Sequence, residues 1–192
     1  MSRSLVSLRC AEVSDAPALA ELWADALRRA DRSDHIADLE LVIKKAAASP
    51  EQRLLVADQD GDVAGAVLLR VTTLTPINLE QVVQAISPHV FPHYRRHGIG
   101  RLLMESAVSF AEELGVAHVG TAASSGSRDA NRFMARLGLG PHAMLRLAPT
   151  VVVRAKLTAQ RPALAATGGR QQLTRVLAAR RSMRRAQAAD RG

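Results

Sequence analysis

The 192-residue sequence predicts an α/β (α+β) fold, a central sheet flanked by helices, with a basic C-terminal tail. Three observations carry this. Segments 53–58 and 63–71 are strand-like runs joined through Asp60-Gly61, a strong hairpin signal. Segment 79–90 reads as a further strand and leads through a turn rich in glycine and cations, Tyr94-Arg95-Arg96-His97-Gly98-Ile99-Gly100-Arg101, into a long helix. In that helix Leu103, Ala107, Phe110, Ala111 and Leu114 recur at helical spacing. Glu105, Glu112 and Glu113 lie off that face, and Gly115 supplies a stop.

In chain order, 4–10 reads as a short strand. Ser14 is the expected cap of a helix whose apolar face is Leu19, Leu22, Trp23, Ala26 and Leu27. A second helix is expected over 35–48, ending near Ser49-Pro50, and the 53–71 hairpin follows. The strand at 79–90 carries Val82, Val83 and Ile86, and Pro88 must distort its end because proline cannot donate to a ladder. Beyond the long helix come a strand at 116–122 and a helix at 128–137. Segment 144–157 reads as further strand, interrupted by Pro149. Pro162 and Gly168-Gly169 then break regular structure, and 170–188 is built of good helix formers with a narrow stripe of Leu173, Val176 and Leu177.

The length suits one domain with a sizeable core, assigned here to residues 1–157, with 158–192 as the tail. The single cysteine, Cys10, excludes an intrachain disulfide, and no Cys/His set has zinc spacing. Neither a signal-peptide run nor a membrane-spanning segment is visible, so the expectation is a soluble cytoplasmic protein. The net charge of +8 is uneven. Residues 158–192 hold eight arginines against Asp190, a balance of +7 that leaves +1 for everything before. The tail reads either as a solvated, partly disordered helix or as a docking element for an acidic partner, nucleic acid or a membrane surface. It lacks aromatic residues on which bases would stack.

The turn before the long helix has the chemistry of an anion site. The first turn of a helix leaves N–H groups without intrahelical partners, and the helix dipole adds positive potential there. Gly98 and Gly100 lack the Cβ that would hold a pyrophosphate off those amides, and glycine tolerates positive φ in a tight turn. The spacing is neither the dinucleotide fingerprint nor the P-loop, since a third glycine and a Gly-Lys-Ser/Thr are both missing.

Arg95-x-x-Gly98-x-Gly100 resembles the Q/R-x-x-G-x-G/A acetyl-CoA loop of the GNAT superfamily of N-acetyltransferases. Ser127-Arg128-Asp129-Ala130-Asn131-Arg132-Phe133-Met134-Ala135-Arg136-Leu137-Gly138-Leu139, one strand later, is similar to the family's N-x-x-A-x-x-F-Y-x-x-x-G-F segment. The resemblance implies a GNAT-like mixed, mainly antiparallel central sheet and direct transfer of an acetyl group from acetyl-CoA to a primary amine. The amine acceptor would be a protein lysine, a protein N-terminus or a small molecule, and a homodimer is common in the family. By resemblance, backbone groups around Val90 and Phe91 meet the pantetheine or polarise the thioester. The amides of Arg95, Arg96, His97, Gly98, Ile99, Gly100 and Arg101 hold the pyrophosphate. Asn131 faces the cofactor or the solvent, and the ring of Phe133 reads as core. Two positions depart from the pattern. Ser127 replaces the usual asparagine, and Met134 replaces the tyrosine that protonates the leaving thiolate, which a thioether cannot do.

An amine nucleophile must lose its proton, since a lysine amine with a pKa near ~10.4 is mostly charged at neutral pH. Glu80 and His89 are the candidate bases, each with an ordinary reading beside it: a solvated carboxylate at a strand start, and a histidine in an irregular Ser-Pro-His segment. His93 and His97 read as loop donors, and Met134 as a packed helix residue. Asp31, Asp34, Asp38 and Glu40 either attract a cationic acceptor or are solvated helix-end charges. Three function classes follow: an amine acetyltransferase, an acyl-CoA-binding module without turnover, and a nucleic-acid or partner-binding protein acting through its tail.

Overall fold

Alternation along the apolar strands sends successive side chains to opposite sides, so a sheet built from them needs cover on both faces. The computed structural model describes residues 6–122, 127–143 and 145–160 and shows that arrangement. Strands Val6–Cys10 (β1), Gln52–Gln59 (β2), Asp62–Thr73 (β3), Gln81–Val90 (β4) and His118–Thr121 (β5) form one sheet in the order β1-β2-β3-β4-β5. The first three pairings are antiparallel, and β4 pairs β5 in parallel. Between the parallel strands the chain runs through helix Ile99–Leu114 (α3). Helices Ala16–Leu22 (α1) and Arg32–Ala47 (α2) precede the hairpin, and Arg128–Arg136 (α4) follows β5.

Two cores result. One joins Ala57, Val67, Leu69, Val83 and Ala85 of the sheet to Ile99, Leu103, Ala107 and Phe110 of α3 and Met134 of α4. The other joins Leu54, Val56 and Ala66 to Leu19, Trp23, Leu39 and Ile43 from the α1 and α2 side. Along β2, residues 54 and 56 serve one core and residue 57 the other, the period of two that the sequence displays. In α3 the helical stripe is buried as expected, although Leu114 is exposed at its end. Arg53 on β2 pins that end from outside. Its guanidinium lies 4.4 Å from the centre of the Phe110 ring and 2.6 Å from Glu113, whose carboxyl the arginine holds below the usual range.

The Asp60-Gly61 turn has φ of 59° and 93°, the left-handed pair that a two-residue hairpin uses. The first helix differs from expectation. Ser14 sits inside a 3₁₀ turn, Val13–Asp15, and α1 ends at Leu22, so Ala26 and Leu27 lie beyond it. The reason is Asp15, only 7 % exposed. Its carboxylate accepts the Glu12 N–H at 2.7 Å and N–H groups of the two terminal Arg9 guanidinium nitrogens at 2.7 and 2.9 Å, which sets where the helix enters.

The Arg9 hydrogen bond, ahead of opposing burial, lowers the Asp15 pKa. Because the folded value lies below the unfolded value of ~3.9, this pair contributes stability above that pH. The contribution is lost as pH falls through the folded value. Asp15→Asn is therefore expected to cost about 2 kcal/mol at neutral pH, less than a fully buried pair because Arg9 can rehydrate. Thermal melts of both proteins should converge as the pH is lowered below ~4. A gap that persists in acid would contradict the assignment.

A second correction concerns 144–157. Met144 lies outside the described residues, residues 145–149 have no regular structure, and Thr150–Ala159 is a helix (α5). The chain divides into two units, one through Gly140 and one from Pro141 onward, and α5 belongs to the second. Val151, Val152 and Val153 favour strand only where a neighbouring edge pairs with them. A helix satisfies its backbone within the segment, and Pro149 at its N-cap fixes the start. The expected breaks at Pro162 and Gly168-Gly169 and the helix over 170–188 lie outside the described residues. Among the described residues, no helix is long and apolar enough to cross a membrane and no cluster could hold a metal ion.

Candidate functional site

The site grows from an irregularity in β4. Leu68 of β3 faces Ile86 and Ala66 faces His89, so the single residue Val67 opposes both Ser87 and Pro88. This is a β-bulge, and it answers the distortion expected of Pro88. Ser87 has φ 48°, a left-handed conformation that costs a non-glycine residue roughly 1–2 kcal/mol. The indole N–H of Trp23 donates to the Ser87 carbonyl at 2.8 Å. A partly buried bond of that kind is worth about 1 kcal/mol, the same size as the strain it offsets.

Past the bulge, among the described residues, β4 is paired on one side only. β5 accompanies it from Val82 to Ala85, where the Thr121 hydroxyl donates to the Ala85 carbonyl at 2.8 Å, and the described ladder ends there. On the β3 side, Gly65 faces Val90 and the Phe91 N–H bonds the Ala64 carbonyl at 3.0 Å. In an antiparallel ladder this turns the N–H and carbonyl of Val90 to the other edge. There Arg95 Nε donates to the Val90 carbonyl at 3.1 Å. The side chain of Val90 packs on the α3 core.

The glycine turn follows directly. Arg96 and Gly98 have φ of 68° and 85°, and Gly98 is the N-cap of α3. The first helical bond runs from Leu102 N–H to the Gly98 carbonyl, which leaves the amides of Ile99, Gly100 and Arg101 without intrahelical acceptors. A Cβ on Gly98 would meet nothing within 4 Å, so this side of the turn is open. A Cβ on Gly100 would lie 3.7 Å from Cζ of Phe133, so this glycine faces the ring on α4. The side chains are engaged locally. Ile99 is buried in the core, Arg101 pairs with Glu105 at 2.8 Å, and His97 Nδ1 lies 3.2 Å from the Tyr94 carbonyl. Tyr94, the sole tyrosine, sets its ring tilted against that of His93, with centres 4.2 Å apart. Burial first, then the Asp62 carboxylate, raise the phenol's pKa and keep it neutral.

His89 joins this end of β4 and Glu80 does not. Directly opposed residues share a face, so His89 lies with Ala66 on the α1 and α2 side. Its Nδ1 is buried without a hydrogen-bond partner. Glu80 precedes the first residue of β4, ten strand residues from Val90, and its carboxylate lies 3.2 Å from His118 Nδ1. Asn131 Nδ2 donates to the Ser127 carbonyl at 2.7 Å on the exposed flank of α4, and Met134 is 8 % exposed within the core. Two of the four acidic residues are paired with nearby cations, Asp38 with Arg28 at 2.9 Å and Glu40 with Lys44 at 3.5 Å. A cavity of about 330 Å³ lined by Arg101, Met104, Val108, Val119, Leu137 and Leu139 flanks α3 and includes no residue of β4.

Two residues at the site escape the sequence reading. Trp23 reads there only as part of a helix face. Gly65 does not stand out, yet a Cβ on it would lie 2.7 Å from the His89 carbonyl oxygen and 3.3 Å from both Ile99 and Val90. A glycine inside a strand pattern is the available signal for such close approach.

Residues 16–139 match the model of the acetyltransferase (GNAT) family. No curated protein matches the sequence. Among solved structures, a transcriptional regulator from Bacillus halodurans C-125 superposes with a TM-score of 0.64 at 19 % identity, covering 76 % of this chain and 100 % of that one. An aminoglycoside N-acetyltransferase in complex with CoA gives 0.64 at 14 % identity, covering 78 % and 97 %. Glucosamine-6-phosphate N-acetyltransferase from Arabidopsis thaliana gives 0.60 at 13 % identity, covering 76 % and 99 %. At these identities the structures speak for the fold.

Proposed function

Since the chain belongs to the acetyltransferase (GNAT) family, we propose that it transfers an acetyl group from acetyl-CoA to a primary amine. The observation that carries this is the junction of two features: the end of β4 that lies beyond the described β5 ladder, and the open glycine turn at the start of α3. The donor supplies an acyl thioester whose CoA thiolate is a tolerable leaving group. Its amide-bearing arm fits a strand edge whose backbone groups turn away from the sheet, as those of Val90 do; the Val90 carbonyl would exchange its Arg95 bond for the arm. The N–H groups of Ile99, Gly100 and Arg101 suit the pyrophosphate. His89, with Nδ1 free of any protein partner, is the residue we assign to take the proton from the incoming ammonium, directly or through water. The neutral amine attacks the thioester carbonyl, the carbon–sulfur bond breaks, and the second amine proton passes through water to the thiolate, giving the amide and the free CoA thiol. Met134, buried in the core, takes no part.

A second reading, acyl-CoA binding without turnover, is favoured by one observation, the missing tyrosine at position 134. It also fits the name of the Bacillus halodurans relative, a transcriptional regulator. Titration of the full-length protein with acetyl-CoA, followed by thiol release in the presence of spermidine and other primary amines, separates the two. Release above the rate without protein supports transfer, and binding without release supports the module. Gly100→Val places methyl groups near the free amides, and the expected loss of affinity is about tenfold, or 1.4 kcal/mol. Gly100→Ala, whose Cβ makes an ordinary contact with Phe133, should bind within about twofold of wild type. Equal binding by a folded Gly100→Val protein would remove the phosphate role from this turn.

A further inference from the structure

Trp23 is the sole tryptophan of the chain, 6 % exposed, and it stands at the C-cap of α1. Its backbone carbonyl accepts the N–H groups of Ala26 and Leu27 at 2.8 and 3.1 Å, which turns the chain out of α1. Its indole N–H reaches 64 residues along the sequence to the Ser87 carbonyl in the β4 bulge. Ser87 holds its left-handed conformation without the freedom of glycine, and the residue after it, Pro88, has no N–H to pair with β3. The bulge thus lacks both a backbone preference and a ladder bond of its own. One side-chain donor secures it. Immediately beyond lie His89, with its unpartnered Nδ1, and Val90, whose N–H and carbonyl turn away from β3.

We propose that Trp23 is a positioning residue for acyl transfer: its indole N–H, acting through the Ser87 carbonyl, sets the β4 bulge so that Val90 and His89 meet the thioester in register. The proposal rests on the acyl-CoA reading above. It assigns to α1 a role at the reacting end of β4 beyond packing in the core.

The test uses the full-length protein and acetyl-CoA labelled with ¹³C at the acetyl carbonyl. In the wild type, the bound carbonyl resonance should move from its free position as backbone donors polarise it. Trp23→Phe keeps an apolar ring and removes the donor. Acetyl-CoA affinity should stay within about threefold because the glycine turn is untouched, while the carbonyl shift falls by about half or more. Adding Ser87→Gly to Trp23→Phe removes the left-handed penalty and should restore the shift, a rescue that lost core packing would not show. Should Trp23→Phe not fold, the single indole ¹⁵N–¹H resonance of the wild type decides. It should move more with acetyl-CoA than with CoA. An unchanged carbonyl shift in folded Trp23→Phe, or an indole resonance indifferent to the acetyl group, overturns the proposal. Failure of the wild type to bind acetyl-CoA overturns the acyl-CoA reading itself, and this proposal with it.

Discussion

Gly65→Val is expected to cost about 3 kcal/mol of stability and to lower acetyl-CoA affinity by about a hundredfold in whatever fraction remains folded. The first Cβ atom already falls 2.7 Å from the His89 carbonyl oxygen, a backbone atom in a strand that cannot swing aside as a flexible side chain would. Its other neighbours at 3.3 Å are Ile99, buried at the start of α3, and Val90. Relief therefore requires moving the end of β4 away from β3 or lifting α3, and both movements displace the groups proposed to meet the thioester and the phosphates. Thermal melting and calorimetric titration check the two parts separately. A melting temperature lowered by about 6–12 °C is the expected reading for a chain of this size. A Gly65→Val protein with wild-type stability would mean that β3 and β4 separate at little cost.

His89→Gln is expected to lower turnover by about a hundredfold while acetyl-CoA binds within about twofold of wild type. Glutamine keeps a polar group of similar reach on the same face as Ala66 but cannot accept a proton at neutral pH. Steady-state rates with a single primary amine and calorimetric titration with acetyl-CoA measure the two. If turnover is unchanged, the proton leaves by water alone. Glu80→Gln serves as the comparison. At the far end of β4 and already 3.2 Å from His118, it should leave both rate and affinity within about twofold.

The features that short stretches specify were legible in the sequence. The Asp60-Gly61 turn, the buried stripe of α3 with Gly115 as its stop, and the distortion at Pro88 all rest on residues within a few positions of one another. The glycine turn belongs with them, because free amides at a helix start follow from the helix itself. Local signals misled where a distant or competing partner decided. Ser14 is a good cap, but Asp15 is gripped by Arg9 from β1 and sets the helix entry instead. The β-branched run at 151–153 favours strand, but that preference needs a pairing edge, and the segment closes its own hydrogen bonds as a helix. Glu80 and His89 are equally plausible as bases in one dimension. Strand length places them at opposite ends of β4 in three. The sequence by itself determined the alternation, the turns and the helix start with its free amides, because those depend on neighbours along the chain. Only the tertiary structure decided that Gly65 must lack a side chain and that Trp23 holds the bulge, because the atoms that make those demands, the His89 and Ser87 carbonyls, are brought near by strand pairing and helix packing.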